Sequence, residues 1–172
     1  MDRNIEQALA NVDVTYDYLV NIADEITTPL FNSVNNIIST ITSNINSMTP
    51  DMISKYMIDL STTTYRLAEI KDKALLKQSC SETLKEEKYA RQFNTTEGSV
   101  AVRQNQATLD CSEETLVELL YTMTASALKT KLDECHRVVD TLKSVLMYKM
   151  AEMKQVQTMS FGEPGESTYI ME

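Results

Sequence analysis

Apolar residues recur along most of this chain at three- and four-residue steps, the period of one face of an α-helix rather than the alternation of a strand. The longest such stretch is Ser112 to Thr158. Its stripe runs Leu116, Leu120, Met123, Ala127, then Leu128, Leu132, Cys135, Val139, Leu142, Leu146, Met150 and Met153, with no Gly or Pro. Ser112 suits an N-cap, and Glu113 and Glu114 put negative charge in the first turn, where the helix dipole favours it. The step from Ala127 to Leu128 shifts the stripe by one residue, so either the buried face rotates there or the helix meets two different neighbours. A helix of this length extends roughly 70 Å, more than a compact domain of this size covers. The surplus calls for a long antiparallel partner in the same chain or for a second copy.

Earlier in the chain, Ile5, Leu9, Val12, Tyr16, Leu19 or Val20, and Ala23 mark a first amphipathic helix over Asn4 to Ile26, with an acidic outer face. Thr27, Thr28 and Pro29 signal its end, and Pro29 suits the first position of a second helix through Phe31, Val34, Ile37, Ile38, Ile41 and Ile45. Thr49-Pro50-Asp51 repeats that start signal. The helix it opens has an inward face of Ile53, Tyr56 or Met57, Leu60, Thr64, Leu67, Ile70 and Ala74. Beyond Leu76 the stripe thins while charges thicken, and Ser79 and Glu82 have capping-box spacing, which allows a bend near Gln78 to Ser81. Lys77 to Phe93 reads as solvated on most sides. Asn94 to Asp110 reads as a polar, non-helical connection with a turn at Gly98, in which Val100 to Arg103 is either a short extended piece or the start of another helical turn. The expected organisation is an N-terminal helical pair at 1–48, a long-helix core at 49–158 containing the polar loop 94–110, and a flexible acidic tail at 159–172.

Composition narrows the picture to an all-α fold. With three Gly, three Pro and no Trp in 172 residues, the chain lacks the punctuation that a many-stranded fold requires. Ten Met supply adaptable apolar filler. Cys80, Cys111 and Cys135 are widely spaced and odd in number, and no secretory signal precedes them, so a reducing cytoplasm is the expected compartment. No run approaches the length of apolar sequence that spans a bilayer, so no membrane partner is expected.

The formal net charge of −9 argues against a protein that coats nucleic acid with its whole surface. Charge is unevenly spread, however. Residues 1–65 hold two basic and eight acidic side chains, whereas residues 66–103 hold eight basic and six acidic ones. Within that cationic stretch Lys73, Lys77, Lys88 and Arg91 follow helical turns near Tyr89 and Phe93, and Arg103 lies in the polar connection. Repeated around a ring, such residues would form a basic rim with aromatic side chains on which bases stack. The plainer alternative is a salt-bridged helix face, with Lys73 pairing Glu69 and Lys77 pairing Asp72.

Catalytic chemistry has little to stand on. The single histidine, His136, is adjacent to Cys135, and neighbouring helical residues point in different directions, so the two do not share a metal readily. No phosphate-binding glycine loop, nucleophile elbow or metalloprotease motif is present. The expectation is a non-enzymatic protein with no cofactor and no metal.

The order of features resembles a known family. A Lys- and Ala-rich helix leads into a charged segment (KDKALLKQSCSETLKEEKYARQF). A polar loop with Gly and Arg follows (TTEGSVAVRQNQA), and then a long helical region (LVELLYTMTASALKTKLDECHRVVDTLKSVLMYKM). Over roughly residues 65–154 this layout resembles the small helical recombination mediators of T-even-type phages, the UvsY type. The resemblance implies a ring-forming protein that binds single-stranded DNA and helps load a recombinase in the host cytoplasm. It also implies DNA contacts at Lys73, Lys77, Lys85, Lys88, Arg91 and Arg103, and assembly through the long helix. Leu128, Leu132, Val139, Leu142, Leu146 and Met150 are the expected oligomer interface of an elongated bundle. A second expectation, drawn from the acidic N-terminal region and tail, is a protein-binding virion or scaffold component, or an acidic inhibitor of a host nucleic-acid enzyme.

Overall fold

The computed structural model describes residues 3–160, apart from the side chains of 3–9, 11 and 157–160. Among the described residues every regular element is a helix: α1 (Arg3–Asn44), α2 (Pro50–Thr95), α3 (Val100–Asp110) and α4 (Ser112–Ser160). All but two of the residues assigned to the flexible tail, 161–172, lie outside the described residues, and 159 and 160 continue α4.

The expected N-terminal pair is one helix. Pro29 sits inside α1 rather than at a boundary. Its ring removes the N–H that would bond the Glu25 carbonyl, and the helix carries on because apolar contacts hold both sides of the gap. Leu19, Ala23 and Thr27 upstream and Val34 and Ile41 downstream are all buried. The Thr27 hydroxyl donates to the Ala23 carbonyl at 3.0 Å, so its burial leaves no polar atom without a partner.

α2 begins where Thr49-Pro50 marks it. The Thr49 hydroxyl accepts the Met52 amide at 3.3 Å, with Pro50 in the first turn. No bend interrupts it at Gln78 to Ser81. The Ser79 carbonyl instead accepts the Thr83 hydroxyl at 3.1 Å, and Ser81 is buried and donates across to the Glu114 carbonyl at 3.0 Å. A residue that weakens the apolar stripe thus becomes a polar contact between helices.

The expected loop 94–110 is also largely helical. Gly98 turns the chain with φ +121°, a conformation that side-chain-bearing residues rarely adopt. Ser99 then caps α3, its hydroxyl accepting the Val102 amide at 3.4 Å. Cys111 alone separates α3 from α4. Its amide bonds the Thr108 carbonyl at 3.3 Å and its carbonyl accepts the Thr115 amide at 3.1 Å. The Gln- and Asn-rich composition hid this helix, which buries only Ala107.

α2 packs most extensively on α4, α1 packs chiefly on α4, and α3 packs on α2. The pairing of Phe93 with Arg103, Ser81 with Glu114 and Ile53 with Leu142 makes α2 antiparallel to the α3–α4 arm. Phe31 and Asn35 lie beside Lys131, and Asn46 lies beside Lys149, so α1 runs parallel to α4. Two clusters form the core. One joins Val34 of α1, Leu60 and Leu67 of α2, and Leu128, Leu132 and Cys135 of α4. The other gathers Ile41, Met48, Ile53 and Leu142 at the α1–α2 turn. From about Thr124 to Leu146 α4 is thus held between two neighbours, whereas its first turns meet α2 through polar contacts and Met147, Tyr148, Met150 and Met153 beyond are exposed. This accounts for the stripe shift at Ala127 to Leu128.

Candidate functional site

The cationic stretch is the part of the sequence on which nucleic-acid chemistry was expected, and the fold divides it. Three of the six expected contact residues are drawn into the hairpin formed by α2 and the α3–α4 arm. Lys85 forms an ion pair with Glu118 of α4. Lys88 reaches the first turn of α4 and donates to both carboxylate oxygens of Glu114, at 2.8 and 2.9 Å. The hydrogen bonds to Glu118 and Glu114 hold the Lys85 and Lys88 ammoniums above the ordinary lysine pKa, against a smaller opposing effect of burial. The same pair, with a backbone hydrogen bond, holds the Glu114 carboxyl below its ordinary value.

Arg103 is the third. Its Nε donates to the Phe93 carbonyl at 2.7 Å, and its guanidinium lies 4.2 Å from the Phe93 ring centroid. Phe93 in turn stacks on Tyr89, with centroids 6.3 Å apart and planes 12° from parallel. The aromatics expected to receive bases therefore stack on each other and on an arginine, and this ladder fastens α3 to the end of α2.

The other three stay at the surface. Lys73 pairs with Glu69 at 2.6 Å, the local pair expected from the sequence, and lowers the Glu69 pKa. Lys77 does not pair with Asp72, which is bound by Lys71 at 3.3 Å. The Lys77 ammonium lies 5.2 Å from the Tyr121 ring centroid instead. Arg91 is exposed. The structure thus does not gather the six expected contact residues into one cationic surface.

The expected assembly residues are also divided. Leu128, Leu132 and Leu142 are buried in the chain's own core, so they cannot face a second copy unless the bundle opens. Val139 and Leu146 are half-buried at its edge, and Met150 is exposed. A stripe at helical spacing marks what a helix must bury without saying which chain covers it.

Sequence reading missed Glu114, Glu118 and Tyr121 as partners of the cations. Glu114 read only as a helix-dipole charge, because a contact between residues about thirty positions apart leaves no local signal. It also missed the apolar surface at the α1 end of the molecule, where Val12, Tyr16, Leu116 and Leu119 are exposed. Between α1 and α4 there is further a groove of about 750 Å³, lined by Ile38, Ile41 and Ile45 against Val138 and Leu142, with Asp133, Glu134 and Arg137 at its rim.

Among the described residues no group of three or more His, Cys, Asp or Glu side chains is placed to hold a metal ion. None of the described helices is long and apolar enough to cross a membrane. Fold and surface together define an all-helical chain built on a long antiparallel hairpin, with a third long helix laid against it. No protein-family model, curated protein or solved structure matches the chain.

Proposed function

We propose that this chain is a non-enzymatic helical binding protein that works by docking other proteins, as a scaffold component or an acidic inhibitor does. The observation that carries this reading is the placement of the cations. Lys85, Lys88 and Arg103 are occupied within the hairpin, while large apolar side chains on α1, α3 and α4 face outward. Exposed apolar side chains on a strongly acidic chain, among them Val12, Tyr16, Leu116 and Leu119, suit a protein partner better than a polyanion. Protein recovered on the immobilised full-length chain from nuclease-treated lysate of its source cells is the expected result. Recovery of none would remove the proposal.

The mediator reading keeps one specific support. Lys73, Lys77 and Arg91 remain exposed on α2, and in an assembly they could line up along a single strand, with a recombinase as the second partner. Titration of a labelled single-stranded oligonucleotide at low and moderate salt separates the two readings. Micromolar binding that weakens steeply with salt supports the mediator. Absence of binding at low salt leaves protein docking alone.

A further inference from the structure

The apolar stripe of α1 does not stop where its packing stops. Tyr16 and Val12 lie one and two turns upstream of Leu19 and continue the face that buries Leu19, Ala23 and Thr27. They are nevertheless 58% and 63% exposed. The pairing of α1 with α4 sets Phe31 and Asn35 beside Lys131. Carried back along two parallel helices, that register places Tyr16 at the level of Leu116, which is 38% exposed, and of its neighbour Leu119. Val12 is then level with the start of α4, where the chain breaks at Cys111 and α3 turns onto α2. The core stripe of α1 thus runs on past the core uncovered, level with the exposed Leu116 and Leu119 of α4.

Resting on the protein-docking reading, we propose that this open cleft between the N-terminal part of α1 and the start of α4 receives one amphipathic helix of a partner protein, its apolar face flanked by Lys and Arg. The helical form follows from the walls, which are two helices whose apolar stripes leave the place of a further bundle helix empty. The sign of the flanking charge follows from the rim. Asp13 and Asp17 alternate with the apolar pair on α1, and Glu113 stands at the first turn of α4, all three exposed. The same rim disfavours a second copy of this chain, because exchange of the α1 ends would set Asp13 and Asp17 of one copy against Glu113 of the other.

Three labelled helical peptides of equal length test this with the full-length chain. The first has Leu on one face and Lys elsewhere, the second keeps the Leu face with Glu in place of Lys, and the third has the first peptide's composition with Leu dispersed around the helix. By anisotropy the first should bind at least roughly ten-fold tighter than either other, the scale set by one good anchor. It should lose about that factor with Val12→Ser/Tyr16→Ser and with Leu116→Ser/Leu119→Ser. Asp13→Lys/Asp17→Lys, at exposed positions that cannot unfold the core, should weaken it as well. Equal binding of the third peptide would reduce the effect to bulk charge and overturn the proposal. So would affinity indifferent to all three double variants, or dimerisation in sedimentation that Val12→Ser/Tyr16→Ser abolishes. A native partner recovered from nuclease-treated lysate that ignores these substitutions would leave the protein-docking reading standing and remove the cleft.

Discussion

Lys88 of α2 holds both carboxylate oxygens of Glu114, the third residue of α4, at 2.8 and 2.9 Å. With Lys85 on Glu118 and Ser81 on the Glu114 carbonyl, it fastens the polar end of a hairpin whose middle is packed by Leu60, Leu67, Leu128 and Leu132 and whose other end is closed by Ile53 and Leu142. The same sequence feature that suggests a nucleic-acid surface is thus explained as an internal fastening.

These pairs give stability a definite pH dependence. Glu114, Glu69 and Asp140 all have carboxyls held below their ordinary values, chiefly by hydrogen bonds from Lys88, Lys73 and Lys143. A depressed folded-state pKa contributes stability that is full above the unfolded value and is lost as pH falls through the folded one. Lys85 and Lys88 are raised, so their contribution is full below the ordinary lysine pKa and lost as pH rises through the raised value. Thermal unfolding should therefore show a plateau around neutrality, falling on the acid side from about pH 4. Lys88→Met should shallow both the acid limb, through Glu114, and the alkaline limb. Exposure and salt screening keep the effect small.

Leu128 is fully buried against α1 and α2. Leu128→Ala should cost about 2–5 kcal/mol, as large-to-small changes in packed cores do. Denaturant unfolding gives the cost, and size-exclusion chromatography of the native variant should show an unchanged assembly state. A variant that shifts the assembly state and keeps its stability would return Leu128 to a subunit interface.

Pro29 is exposed within α1 and deprives the Glu25 carbonyl of its helical partner. Pro29→Ala restores that bond, a gain of up to about 3 kcal/mol by helix propensity. The proline's restriction of the unfolded chain offsets about 0.4–1 kcal/mol of it. The melting temperature should rise. A fall would mean that Pro29 sets a direction in α1 on which its packing depends.

The three cysteines should separate by reactivity. Cys80 is exposed, whereas Cys111 and Cys135 are buried. Burial raises the Cys135 thiol pKa, against a smaller opposing hydrogen bond from Thr64. A thiol-reactive chromogenic disulfide should titrate one group quickly in the native protein and all three after denaturation.

Much of the fold was readable from periodicity. The α2 start at Thr49-Pro50 and the stripes through Leu60, Leu67, Leu128 and Leu142 follow directly from spacing and capping. Two local signals misled. Pro29 after Thr27-Thr28 has the form of a boundary, yet burial on both sides of it carries α1 through. The polar run Arg103 to Gln106 has the composition of a loop, yet Ser99 caps it and Ala107 buries it against α2. The site was less legible because it depends on pairings such as Lys88 with Glu114 and Arg103 with Phe93. No periodicity encodes these, and they decide whether a cation faces solvent or its own chain.

Thermal unfolding of Lys88→Glu, Glu114→Lys and the combined exchange tests the central claim most directly. If Lys88 is a fastening between α2 and α4, each single variant melts below the parent and the exchange recovers much of the loss. Single variants as stable as the parent, with Lys88→Glu losing single-stranded DNA binding that the parent has, would contradict the account and return the cationic stretch to nucleic acid.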